Sequence, residues 1–149
     1  MFHFNYIPLR HKSKVPCIKS WEQYQTERVT ETLKSAWEQL YPNCNWGIVT
    51  GNVSGIIVLD IDGDAGFESL KQRNIDISEI YTPTVKTGKG MHLYFKHSGG
   101  TVNNRVNIIP HVDIRGDGGY VVAPPSIHSN GKNYEWIRHP HTYPIIDIP

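Results

Sequence analysis

Ile56-Ile57-Val58-Leu59-Asp60-Ile61-Asp62 decides the fold and points to the chemistry. Side chains two apart on a strand share a face, so Asp60 and Asp62 point one way while Ile57, Leu59 and Ile61 point the other. Burying two such acids at the end of an apolar strand is costly unless a cation neutralises them, and a divalent ion does so efficiently. A bare Asp-x-Asp is equally compatible with a solvated strand end. Working outward, the alternation recurs in Met91-His92-Leu93-Tyr94-Phe95, with Leu93 and Phe95 facing a core and His92 and Tyr94 facing away from it. In Val112-Asp113-Ile114-Arg115, Asp113 and Arg115 share the face opposite Val112 and Ile114. If these polar faces form one sheet surface, they supply acids for a metal, an imidazole, and a guanidinium suited to phosphate oxygens. A lone His92 would otherwise read as structural.

The flanking sequence predicts an α+β layer architecture. The first twenty residues read as irregular or a short strand. A helix is expected from Trp21 to Leu40, capped by Ser20, with Val29, Leu33, Ala36, Trp37 and Leu40 on its apolar face. Strands Trp46–Thr50 and Ile56–Ile61 are expected to pair antiparallel through Gly51–Gly55. Asp64 is the expected cap of a short helix, Ala65–Arg73. A second strand pair, Thr82–Lys86 and Met91–Lys96, surrounds Thr87-Gly88-Lys89-Gly90, and further strands are expected at His111–Arg115, Tyr120–Val122 and Tyr134–Ile137. Gly88 and Gly90 would let backbone approach an anion, with Lys89 or Lys86 adding charge. Gly116-Asp117-Gly118-Gly119 reads as an ordinary turn.

At 149 residues and 17.0 kDa the chain has the size of one domain, which excludes most multidomain machines. A hydrophobic share of 38% and a charged share of 19% exclude a disordered chain. The net charge of +1 means that any nucleic-acid contact must come from local clustering of basic residues. Cys17 and Cys44 cannot build a disulfide framework, and no leader or membrane-length apolar run is visible, so a soluble protein of the reducing cytoplasm is expected.

Together these motifs resemble the primase-polymerase (prim-pol) domain of the archaeo-eukaryotic primase superfamily, found in plasmid, viral and mobile-element replication proteins. Val58-Leu59-Asp60-Ile61-Asp62-Gly63 is similar to its first motif, Gly90-Met91-His92 to its second, and Val112-Asp113, extended by Ile114-Arg115-Gly116 and Gly119 to Ser126, to its third. The likeness runs from Lys14-Val15-Pro16 to Gly131-Lys132-Asn133-Tyr134-Glu135-Trp136 and Ile137. It implies a mixed or antiparallel sheet with an RRM-like core packed with helices, forming one catalytic domain over residues 1–149, expected to be excised from a larger replication protein; the ending Ile145–Pro149 reads as a cut before further chain. It implies that Asp60, Asp62 and Asp113 hold two Mg²⁺ or Mn²⁺ ions while a 3′-hydroxyl attacks the α-phosphate of a nucleoside triphosphate. His92 would be a catalytic residue binding the triphosphate tail, with Lys89 and Arg115 adding charge and Gly88 and Gly90 exposing backbone N–H groups. Lys14, Lys19 and Arg105 would touch a single-stranded template or primer-template, and a helicase or accessory domain is an implied partner. Gly90 stands where many relatives have Ser, which removes a hydroxyl but leaves the backbone donor.

Competing readings differ in class. Leu59-Asp60-Ile61-Asp62-Gly63 also resembles the nucleophile strand of haloacid dehalogenase-type phosphatases, although that strand normally opens its domain. A non-catalytic nucleic-acid or nucleotide-binding module of the same fold could use Trp21, Trp37, Trp46 and Trp136 for base stacking, or for core packing. His128, His139 and His141 offer a weaker zinc reading, without four well-spaced ligands.

Overall fold

The computed structural model describes residues 3–149. In chain order the elements are β1 (Asn5–Leu9), α1 (Glu31–Leu40), β2 (Asn45–Val49), β3 (Ile56–Ile61), α2 (Gly63–Gln72), β4 (Thr84–Lys86), β5 (Met91–Lys96), β6 (Arg105–Ile109), β7 (Val112–Arg115), β8 (Tyr120–Ala123) and β9 (Glu135–Arg138), with 3₁₀ turns at Glu22–Gln25 and Ile77–Glu79. The strands make two sheets, β1-β2-β8 and β6-β7-β3-β5-β4-β9, and neighbouring strands within each run antiparallel.

β3 lies within the larger sheet and is covered on both faces. Ile56 and Val58 join Tyr94, Ile7, Ile48 and Val122 in a core shared by the two sheets. Ile57, Leu59 and Ile61 join Leu93, Phe95, Val112 and Leu70 of α2 in a second core. This explains the unbroken apolar run before Asp60, since a strand buried on both faces has no solvent side to mark with polar residues. It also corrects the expected orientation at β5. Tyr94 does not face away from a core; it is fully buried, and His92 is nearly so.

Three other expectations change. The strands around Gly51–Gly55 are not a paired hairpin but belong to different sheets, with a bridge between Gly51 and Ile56 where the connection enters β3. β2 has both edges taken, by β1 and β8, so β3 is free to pair with β5 and β7. The expected long helix breaks between Thr26 and Thr30, and α1 begins only after Thr30, whose hydroxyl accepts from Leu33 N at 3.1 Å. Asn5 of β1 stabilises the break: its amide nitrogen donates to the Tyr24 and Glu27 carbonyls at 2.8 and 2.9 Å, and its oxygen accepts from Val29 N at 2.7 Å. Finally, α2 starts at Gly63 with Asp62, rather than Asp64, at its N-cap position.

The Gly116–Gly119 turn does more than reverse the chain. Asp117 accepts from Asn52 N at 3.0 Å and Val102 N at 2.8 Å, and its carboxylate lies 3.1 Å from His97 Nε2. One carboxylate thereby ties together three loops, and a Cβ on Gly51 would fall 2.4 Å from its Oδ1. Burial pushes the Asp117 carboxyl up, but the two backbone donors and His97 outweigh it and hold it below the ordinary value. A depressed folded value contributes stability above the unfolded pKa, and that contribution is lost as pH falls through the folded one. Asp117→Asn is therefore expected to lower unfolding free energy at neutral pH by about 1–3 kcal/mol, the scale for unsatisfying such donors. Denaturant titrations should show the gap to wild type closing below about pH 4; a constant gap would contradict this role.

Candidate active site

Strand register builds the site. Asp60 pairs directly with Asp113 of β7 on one side and with His92 of β5 on the other, so these side chains form a row across one face of the larger sheet. His92 Nε2 lies 3.3 Å from Asp60 Oδ1. Arg115, paired with Val58 two positions along, places Nη2 3.2 Å from Asp113 Oδ2 and 3.8 Å from Asp60 Oδ2. The row follows Ile56 and Val58 on the face packed against the small sheet, so it sits where that apolar layer gives way to solvent.

Asp62 lies just past the end of β3 at the α2 N-cap position, where its side chain makes no capping hydrogen bond. It is exposed, its backbone N–H donates to His111 O at 2.9 Å, and it lines the same cleft as Asp60 and Asp113. That cleft, about 320 Å³, is also walled by Thr87, Lys89 and His128. A neighbouring cleft of about 320 Å³ reaches toward Trp21, Asn104 and Tyr120. Lys14, Asp60, His92, Arg115 and Tyr134 line both.

Charge is balanced closely. Burial pushes the Asp60 carboxyl up, but the hydrogen bond and charge of His92, then the charges of Arg115 and Lys14, outweigh it and leave it below the ordinary carboxylate value. Tyr134 is pushed up to about 12 by burial and by the Asp60 charge, so it borders the acids as a neutral phenol. Asp113 is fixed from behind. The backbone N–H of Asn107 donates to Asp113 Oδ1 at 2.8 Å, and the Asn107 side-chain oxygen accepts from His111 N at 3.1 Å. Asn107 adopts φ 51°, a left-handed conformation that Asn tolerates better than most residues. An Asn beside an Asp-bearing strand carries no sequence signal of this role.

The expected anion turn has a different internal logic. Gly90 N donates to Thr87 Oγ1 at 2.9 Å, so this donor is already used, and a Cβ on Gly90 would lie 1.8 Å from Ile61 O. Gly90 is thus required for close contact with β3. Gly88 is buried, and Lys89 is exposed at the cleft wall. Of the residues expected to contact a template, Lys14 lines both clefts, whereas Lys19 and Arg105 are exposed and line neither. His139 and His141 stack at 4.9 Å, and neither lines the cleft that His128 walls.

The acids suit a divalent ion by type, since hard carboxylate oxygens are the ligands of Mg²⁺ and Mn²⁺, and Arg115 shows that the place attracts positive charge. No group of three His, Cys, Asp or Glu side chains is drawn together closely enough to hold a metal among the described residues. Asp60, Asp62 and Asp113 are not gathered into one such group; Arg115 is the cation against which Asp60 and Asp113 rest.

Residues 1–149 match the family model described as bifunctional DNA primase/polymerase, N-terminal, and the chain belongs to that family. Membership implies primase/polymerase-type nucleotidyl transfer in DNA replication, with DNA and nucleotides as substrates, at the level of the family. It goes to the prim-pol resemblance and not to the phosphatase one. A search of curated proteins returned no match. No helix among the described residues is long and apolar enough to cross a membrane.

Arg115→Gln should raise the Asp60 pKa, because it removes a charge that favours the carboxylate; a ¹³C carboxyl NMR titration with no upward shift would contradict the pairing. Gly90→Ala should cost at least about 2 kcal/mol in chemical denaturation, since backbone must move to admit the methyl group.

Proposed function

We propose that this chain is a metal-dependent DNA primase-polymerase domain that adds nucleotides from a nucleoside triphosphate to a 3′-hydroxyl on a template strand. The observation carrying this reading is the row Asp113–Asp60–His92, formed by direct pairing of three strands distant in sequence. An archaeo-eukaryotic primase-like arrangement with an RRM-like core is supported by the antiparallel centre β7-β3-β5 and by α2 packed beneath it.

Asp60, Asp62 and Asp113 would hold Mg²⁺ or Mn²⁺. Such ions, when bound, stabilise the attacking and leaving oxygens of an in-line displacement at phosphorus. The remaining work falls to the protein. His92 orients Asp60 through its 3.3 Å contact and stands at the edge of the cleft that would receive the triphosphate. Lys14, Lys89 and Arg115 supply positive charge around that cleft, which lowers the cost of bringing an anion beside carboxylates. Asn107 fixes the rotamer of Asp113 by its backbone donor. In the transfer, the 3′-hydroxyl gives up its proton to water, its oxygen bonds to the α-phosphorus as the bond to the pyrophosphate oxygen breaks, and pyrophosphate leaves with the electron pair.

A second reading, a binding module without turnover, draws support from the absence of a gathered ligand group among the described residues. Templated extension assays with Mg²⁺ and with Mn²⁺ separate the two. Asp62→Asn and Asp113→Asn should each reduce extension at least about a hundredfold, the scale of losing a group that acts only in the transition state, while circular dichroism stays native. Undiminished extension by both variants would refute the assignment. Wild-type binding of single-stranded DNA without metal and without extension would favour the module.

A further inference from the structure

A second imidazole is built into the same cleft. His128 lies flat against the glycine turn: a Cβ on Gly88 would fall 2.3 Å from His128 Cγ and 2.5 Å from its Cδ2. Gly88 is therefore needed to seat this ring. The loop carrying it is tied back on itself and onto the turn. His128 N donates to Lys132 O at 2.8 Å, Gly131 N to His128 O at 2.8 Å, and Asn130 Nδ2 to Gly88 O at 3.1 Å. Tyr134 supports both imidazoles, with ring centroids 6.3 Å from His92 and 5.9 Å from His128.

The two rings are committed differently. His92 Nε2 faces Asp60 at 3.3 Å, so that nitrogen is engaged with a carboxylate. His128 Nδ1 accepts the backbone N–H of Asn130 at 3.0 Å, with Ser129 Oγ at 3.5 Å. An imidazole nitrogen that accepts a hydrogen bond carries no proton, so the proton of the neutral ring resides on Nε2. Nε2 is left as a donor, in a residue that lines the cleft beside Thr87 and Lys89.

We propose that His128 is a polyphosphate-binding residue that donates from Nε2–H to a non-bridging oxygen of the triphosphate tail, in the cleft that it shares with His92. The Asn130 N–H on Nδ1 sets this tautomer before any ligand arrives, so the neutral ring already presents its Nε2 donor. The assignment rests on the nucleotidyl-transfer reading, and it adds a residue that the Asp-x-Asp, Gly-x-His and hydrophobic-Asp motifs do not contain.

The test uses the intact chain and two probes, inorganic tripolyphosphate and a nucleoside monophosphate, titrated calorimetrically in Mn²⁺. His128→Ala should weaken tripolyphosphate about tenfold, the scale of one hydrogen bond to a charged group, and leave the monophosphate within about twofold. His128→Gln, which restores an N–H donor, should recover most of the loss. In the wild type, tripolyphosphate should shift the His128 Nε2 resonance in ¹⁵N-detected imidazole spectra, a readout independent of whether either variant folds. An unchanged tripolyphosphate dissociation constant in His128→Ala, equal losses for both probes, or an unmoved Nε2 resonance would overturn the role of His128 while leaving the transfer reading intact. Failure of the wild type to bind tripolyphosphate at all would remove both.

Discussion

The register of β3 between β5 and β7 is the constraint on which the site depends. Antiparallel pairing places Val58, Leu59, Asp60 and Ile61 opposite Arg115, Ile114, Asp113 and Val112 on one side, and opposite Tyr94, Leu93, His92 and Met91 on the other. Slipping β3 by one residue would turn Asp60 into the core that holds Leu70, Leu93 and Phe95, and would send Leu59 or Ile61 into the cleft. Each apolar side chain displaced from full burial forfeits about 1.5–3 kcal/mol, and a buried unpaired carboxylate adds several more. Packing thus fixes a chemical arrangement: the same burial that stabilises the sheet determines which acids meet.

Electrostatics at the row follow from that packing. Asp60 and Asp113 are brought together by strand pairing, and like charges directly opposite on a sheet oppose each other. Arg115 resolves this by touching both, with His92 closing the far side of Asp60. Glycine is used here for approach: Gly90 allows backbone contact with Ile61, and Gly88 gives His128 a flat surface. The cleft consequently has walls of closely packed backbone, with Lys14 and Lys89 supplying charge on exposed side chains.

The residues of the row were legible because period-two alternation tells which side chains share a face, and the glycine turn between β4 and β5 marks a hairpin. Burial of the rest of that same face was less so. His92 and Tyr94 read as a polar face, yet that face packs against a second sheet whose strand β1 carries a proline and no alternation. β6 went unread because its residues are nearly all exposed and its pairing with β7 is irregular, so it lacks the apolar pattern that reveals a strand. The helix break at Thr26–Thr30 depends on Asn5, far away in sequence, and the apolar spacing of Val29 to Leu40 begins inside it, so that spacing does not mark where α1 starts. Asn107 and Asp117 act through backbone N–H groups, and no residue pattern announces which loop will present its N–H to which carboxylate.

Whether the paired aspartates hold the metal can be read by anomalous diffraction from crystals of the chain grown with Mn²⁺ and a non-hydrolysable nucleoside triphosphate. Manganese is expected between the carboxylates of Asp60 and Asp113, with Arg115 moved off them and Asp62 turned toward the ion. Manganese bound elsewhere on the surface, with Arg115 still bridging the two aspartates in the presence of nucleotide, would contradict it.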